Sequence, residues 1–177
     1  MENFEISPLI TETEIQKKVA ELGATLSDKF KNQDDVVFIC VLKGSLIFYS
    51  DLIREIELDV KCDFLGLSSY KNTGTSSGEV KLTLDLSTNV EGKEVVVVED
   101  IVDTGLTMNY LLRMLEARRP KNITTVTLLR KPDAIKEECQ IDHVGFDIPN
   151  DFVVGYGLDY GEQYRNLPFI GQVASLN

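Results

Sequence analysis

At 177 residues the chain fits one domain on a prior of roughly 150 residues each, large enough to bury a core without disulfide or metal staples. Hydrophobic residues at 43% and charged residues at 27% exclude a disordered, collagen-like or fibrous chain. Lys and Arg number 18 against 29 Asp and Glu, a net charge of −11; that field repels nucleic-acid backbones and anionic headgroups, so any bound anion must be held by a local device. Met1 to Lys18 lacks a basic segment followed by an apolar one, and the longest apolar run, Val36 to Leu42, is too short to cross a bilayer. Cys40, Cys62 and Cys139 are an odd set without metal-ligand spacing, two of them inside apolar runs, and read as reduced packing residues in a cytoplasmic protein.

Thr11-Glu12-Thr13-Glu14 has the form of a capping box, and Ile15, Val19, Leu22, Leu26 and Phe30 follow at helical spacing. Polar residues 32–35 end this helix. Val36 to Leu42 is apolar at every position, which predicts a strand buried on both faces. After the turn at Lys43-Gly44-Ser45, Ile47, Leu52, Ile53 and Ile56 suggest a second helix, and Val60, Cys62 and Phe64 alternate with polar neighbours as a half-exposed strand. Residues 70–79 hold no apolar anchor beyond Tyr70 and read as a mobile loop. Val80, Leu82 and Leu84 alternate again; Val95 to Val98 has the signature of a central parallel strand ending at Glu99-Asp100. A helix through Met108, Leu111, Leu112 and Leu115 stops before Pro120, Ile123 to Leu129 is another buried strand, and shorter candidates lie at 143–146, 152–155 and 169–173. Strands alternating with helices imply an α/β fold with a mostly parallel twisted sheet flanked by helices, and ligands in such sheets bind beyond the carboxyl ends of the strands.

The chemistry therefore gathers at Leu42 to Ser45, Glu99 to Thr107 and Arg130 to Asp133. In Glu99 to Thr107 a strand delivers two adjacent carboxylates, then Asp103, then a small hydroxylated loop that opens a helix. Amides at a helix N-terminus, with the hydroxyls of Thr104 and Thr107 and a close approach at Gly105, make a phosphate cradle. The upstream carboxylates would repel that phosphate unless they face sugar hydroxyls or a divalent cation, so the combination describes a phosphorylated ribose. Asp-Thr-Gly alone reads more readily as an N-cap with a turn; the buried valine strand and the acidic pair ahead of it reverse that and favour binding. Neither a Gly-x-Gly-x-x-Gly after a strand nor a Gly-x-x-x-x-Gly-Lys-Ser/Thr is present.

The stretch Val96 to Thr107 resembles the phosphoribosyl-pyrophosphate (PRPP) motif of type I phosphoribosyltransferases. Leu128 to Pro132, Phe152 to Tyr160 and Tyr164 to Pro168, with Leu42-Lys43-Gly44 and Ser69-Tyr70, resemble its hypoxanthine-guanine branch. The resemblance runs from residue 36 nearly to the end of the chain. It implies a single domain over 1–177 with a small hood subdomain, built from the N-terminal segment and about residues 150–177, and an active-site loop at about 69–79 that closes as a lid. Thr104, Gly105 and Thr107, with the Asp103 and Leu106 amides, would hold the 5-phosphate, and Glu99 and Asp100 the ribose hydroxyls. Asp103 would serve as general base near purine N7. Lys131 would donate to the 6-oxygen, Phe152 would stack on the base, and the Val153 backbone would read its edge. Lys43, Gly44 and Arg165 would engage pyrophosphate, and Leu42-Lys43 is a candidate for a cis bond. Magnesium would lie near Glu99, Asp100 and Asp159.

The implied reaction is displacement of pyrophosphate from PRPP by N9 of a 6-oxopurine, hypoxanthine with guanine beside it and xanthine less expected, in a homodimer or homotetramer touching through the apolar faces around Leu46 to Ile56. Nucleic acid and membrane are not expected partners. Each residue has a plainer reading: Lys131 as a solvated charge, Phe152 as core, Asp159 as a turn residue, Arg165 as a surface ion-pair partner. His143 matches no catalytic position and reads as structural. Arg130 departs from the aspartate that many bacterial members carry beside the lysine, which bears on the charge around Lys131. A regulator of the same fold, sensing PRPP and binding nucleic acid without turnover, is the rival reading; it would need a basic face.

Overall fold

The computed structural model describes residues 4–69 and 80–175. Tyr70 and most of the expected loop lie outside the described residues. Among the described residues nine strands and three α-helices follow in the order β1 (Phe4–Ile10), α1 (Glu12–Phe30), β2 (Val36–Leu42), α2 (Leu46–Arg54), β3 (Lys61–Ser69), β4 (Val80–Leu84), β5 (Glu94–Val102), α3 (Leu106–Glu116), β6 (Asn122–Arg130), β7 (His143–Asp147), β8 (Val153–Val154) and β9 (Ile170–Ser175).

Six strands form the main sheet in the order β4-β3-β2-β5-β6-β7, parallel except for β4 at one edge. The two central strands bury both faces because their apolar residues are consecutive. Phe38, Cys40, Val96 and Val98 turn to α1 and α2, whereas Val37, Ile39, Val41, Val95 and Val97 turn to Leu111 and Leu115 of α3. Helix α1 begins with the reciprocal cap its sequence predicts: the Glu14 amide donates to Thr11 Oγ1 at 3.3 Å and the Thr11 amide to Glu14 Oε2 at 2.9 Å.

Two features differ from the sequence reading. Residues 4–10 form β1, which pairs antiparallel with β9, and β9 with β8, giving a second, three-stranded sheet that joins the two ends of the chain. In β3 the buried positions are Asp63 and Leu65, while Cys62 and Phe64 face outward. Cys62 is therefore a surface thiol rather than a packing residue; Cys40 is buried, and all three cysteines are free. Asp63 is tolerated inside because the amides of Phe64 (2.8 Å) and Thr88 (2.6 Å) and the Ser87 hydroxyl (3.1 Å) donate to it. Burial by itself would raise its pKa, but these donors together outweigh it and hold the carboxyl below its ordinary value.

Among the described residues no helix is long and apolar enough to cross a membrane.

Candidate active site

The carboxyl ends of β2, β5 and β6 lie side by side in the sheet, and two cavities there bring together Lys43, Gly44, Glu99, Asp100, Asp103, Thr104, Gly105, Thr107, Asp159 and Arg165, while Lys131, Phe152 and Val153 line neither. At the end of β5 the backbone leaves the sheet after Val102, and Gly105 takes φ +84° before Leu106 starts α3. This left-handed step favours glycine, and a Cβ at Gly105 would also overlap the Glu137 carbonyl. The loop is held from behind: the Lys136 and Glu137 amides both donate to the Thr104 carbonyl at 3.1 Å, and Asn109 Nδ2 donates to the Glu138 carbonyl at 3.0 Å. The result is a helix N-terminus whose first amides lack intrahelical acceptors. It borders a cavity of about 250 Å³ lined by Glu99 to Gly105, Thr107 and Met108. Asp103 is exposed there, without a hydrogen-bond or ion-pair partner among the described residues.

A second cavity of about 320 Å³ shares Glu99, Asp100 and Thr107 with the first and reaches Lys43, Gly44, Asp159 and Arg165. Glu99 is 6% exposed. Burial, then the neighbouring Asp100 carboxylate, pushes its pKa well up; burial does the same to Asp100, against the pull of its own backbone contacts and of Arg165. An acidic pair in this state favours a cation beside it. Among the described residues no group of three or more His, Cys, Asp or Glu is arranged to hold a metal by itself, so a cation here would take part of its ligands from a bound molecule.

The turn after β2 carries the cis Leu42-Lys43 bond that the resemblance implied. Buried Ser45 ties it down by donating to the Val41 carbonyl. Glycine at 44 is required by proximity, because a Cβ there would overlap Asp100 Oδ2. The segment Gly155 to Arg165 caps this turn: Gly157, at φ +101°, has no room for a Cβ against the Gly44 carbonyl. Arg165 Nη1 donates to the Gly157 carbonyl at 2.8 Å, and Nη2 lies 2.8 Å from Asp159 Oδ1. The other Asp159 oxygen accepts the Glu162 amide at 2.9 Å. Both oxygens are engaged, which fits a contact to a cation through water better than direct ligation.

Lys131, at the end of β6, is 7% exposed, so the solvated-charge reading fails for it. Its neighbour Arg130 points elsewhere, in a two-pronged pair with Asp147 at 2.6 and 2.8 Å, so the Arg130 charge is compensated locally. Phe152 is 50% exposed and meets Tyr160 edge-on with ring centroids 5.6 Å apart, which removes the core reading. Val153 is buried in β8 opposite Gln172. Ser69 ends β3 opposite Val80; Tyr70 lies outside the described residues. Sequence reasoning missed Glu162, which lies 3.0 Å from Lys43, and the supporting segment 136–138; an acidic residue three before Arg165 was the available signal for the first.

The model of the phosphoribosyl transferase domain matches residues 10–161, and the chain belongs to that family. Its sheet and flanking helices are the type I phosphoribosyltransferase fold. A hypoxanthine-guanine phosphoribosyltransferase of Bacillus subtilis (strain 168) is 52% identical over 163 residues, covering 92% of this chain and 90% of that protein. A solved hypoxanthine-guanine phosphoribosyltransferase of Bacillus anthracis superposes with a TM-score of 0.90 at 46% identity, over 96% of this chain and 100% of the other. A hypoxanthine phosphoribosyltransferase from Trypanosoma cruzi, solved in complex with the product IMP, gives 0.88 at 41% identity, over 96% and 94%.

Proposed function

We propose that the chain is a purine-salvage hypoxanthine-guanine phosphoribosyltransferase, transferring the 5-phosphoribosyl group of PRPP to N9 of hypoxanthine or guanine to form IMP or GMP and pyrophosphate. The observation that carries this is the joint placement of an acidic pair and an amide-rich helix start at the end of β5 and a buried lysine at the end of the adjacent β6. The activities for which the relatives are named support it, and so does the length of chain they share.

In this reading the helix start at Thr104 to Thr107 takes the 5-phosphate, since its amides and hydroxyls line the cavity on the Asp103 side of the acidic pair. Glu99 and Asp100 face the ribose hydroxyls and stabilise the positive character that the sugar develops as its bond to pyrophosphate lengthens. Asp103, exposed one step further on, accepts the proton associated with N7 and so makes N9 the better nucleophile. The Lys131 ammonium donates to a 6-oxo group and has nothing to accept from adenine's amino group. Phe152 offers its open face to the base. Lys43, Gly44 and Arg165 receive pyrophosphate. Magnesium supplies charge neutralisation on the leaving group when bound, with Glu99, Asp100 and, through water, Asp159 as the residues that would hold it. The small sheet formed by β1, β8 and β9 is the hood of a single domain. The lid reading of residues 69–79 rests on their composition and on the family resemblance.

Further parts of this reading concern setting. Free thiols suit a reducing cytoplasm. Exposed Leu46, Phe64 and Leu84 support a homodimer or homotetramer. The −11 charge supports turnover of a small substrate rather than a nucleic-acid-binding regulator. The test mixes protein, PRPP and magnesium with hypoxanthine, guanine, xanthine or adenine and measures pyrophosphate release. Release is expected with hypoxanthine and guanine and absent with adenine; equal release with adenine would overturn the role of Lys131, and none with any base would overturn the function.

A further inference from the structure

The two cations assigned to the leaving group already hold an anion. Glu162 Oε2 lies 3.0 Å from Lys43 Nζ, and Glu162 Oε1 lies 3.4 Å from Arg165 Nη2, so one carboxylate spans both. The contact to Lys43 joins residues 119 apart in sequence, from the turn after β2 to the segment that caps it. The backbone sets this reach. Glu162 has φ +65°, directly after Gly161 at φ +58°, in a turn closed by hydrogen bonds between Tyr160 and Gln163, and its own amide is fixed by Asp159. Stability does not account for the arrangement: the side chains of Glu162 and Lys43 are 66% and 69% exposed, and ion pairs so open to water contribute little to folding.

We propose that Glu162 is a built-in stand-in for pyrophosphate, occupying Lys43 and Arg165 between turnovers and giving them up to the incoming diphosphate. The inference rests on Lys43 and Arg165 being the leaving-group cations. A diphosphate entering this corner must break two charge-assisted contacts and then sit beside a displaced negative charge, so its hold is weaker than the two cations alone would give. After the transfer the returning carboxylate competes for the same donors and helps to expel the product. A glutamate can span both cations because its two oxygens separate the contacts, one to each; an aspartate, one methylene shorter, would reach one of them at most.

Titrating magnesium pyrophosphate into wild type and Glu162→Gln tests this. The variant is expected to bind pyrophosphate about three- to tenfold more tightly, the combined effect of two released exposed pairs, and to show kcat and the KM for PRPP falling together. Ribose 5-phosphate, which lacks the diphosphate, should bind both proteins within about twofold. Glu162→Asp should resemble Glu162→Gln in part. Glu91→Gln, at the opposite end of β5 and paired with Arg119, removes the same charge and should change nothing. Equal or weaker pyrophosphate binding by Glu162→Gln overturns the role of Glu162 while leaving the transferase reading in place; so does an equal gain from Glu91→Gln, which would reduce the effect to net charge. Pyrophosphate that binds neither protein overturns the assignment of Lys43 and Arg165 as well.

Discussion

Asp103 differs from the other carboxylates of the site in being exposed and without a partner among the described residues, whereas Glu99 and Asp100 are held in a buried pair and Asp159 is bound by Arg165. A group kept free at the mouth of the cavity is suited to exchange protons with a ligand. Replacing it by asparagine keeps size and hydrogen bonding but removes the proton acceptor; kcat should fall about 100-fold with PRPP affinity within a few-fold, as steady-state kinetics would show, and unchanged turnover would reject the role. His143 is the opposite case. Its Nε2 is buried without a hydrogen-bond partner among the described residues, and burial, with Lys29 adding to it and Asp142 opposing, lowers its pKa. The folded protein thus takes up the His143 proton less readily than the unfolded chain. The corresponding stability is complete above the unfolded value of about 6.5 and is lost as pH falls through and below it. Urea midpoints of wild type and His143→Phe should diverge in favour of the variant between pH 7.5 and 5.5; a constant difference would remove the histidine as the cause.

At the scale of elements, the loop proposed to take the 5-phosphate depends on a segment that lines neither cavity. Residues 136–138 clamp the Thr104 carbonyl by two amides and accept a hydrogen bond from Asn109 on α3, so the helix start is fixed from both sides. Asn109→Ala removes the side-chain part of this clamp. With a typical hydrogen bond contributing about 1 kcal/mol, the KM for PRPP should rise about fivefold while the KM for the purine stays put; a change shared by both substrates would indicate general loosening instead. The entry to α1 offers a second test. Thr11→Ala breaks the capping box and should cost about 1 kcal/mol in denaturant unfolding, with activity unaffected because α1 lies on the far side of the sheet from α3; no loss of stability would mean that the cap is redundant. The alternation in β3 shows where pattern reading fails. Cys62 and Phe64 look like the inward set, but Asp63 finds two donors in the chain that follows β4, Ser87 and Thr88, besides the amide of its neighbour Phe64, and so can take the buried face.

For the molecule as a whole, that reversal leaves apolar groups in the open. Leu84 stands beside Gly66 across the β3–β4 pair, and Phe64 shares that face, with its ring 5.8 Å from Tyr49 of α2; Leu46 begins the same helix. Exposed large apolar residues gathered around one helix and one edge of a sheet suit a subunit contact. Light scattering should give a multiple of 19.8 kDa for the wild type, and Phe64→Lys should shift it toward the monomer. A monomeric wild type would leave this face without a partner copy.

The order of the elements was legible in the sequence because hydrophobic periodicity is a local property. Consecutive valines specify a strand buried on both sides, and an acidic pair followed by Asp-Thr-Gly specifies a strand end running into a helix. The loop from Glu99 to Thr107 could be singled out for the same reason, whereas the roles expected of Lys43, Lys131, Phe152, Asp159 and Arg165 came from the family resemblance. What only the tertiary structure decided is what those motifs do to one another. The short strand β1 has no periodic signature and forms only because β9 supplies its hydrogen-bond partners. Lys131 became buried, Arg130 was compensated by Asp147, and Glu162 came to lie between Lys43 and Arg165, through contacts between segments far apart in the chain. Charge and burial depend on neighbours in space, and a pattern along the chain does not contain them.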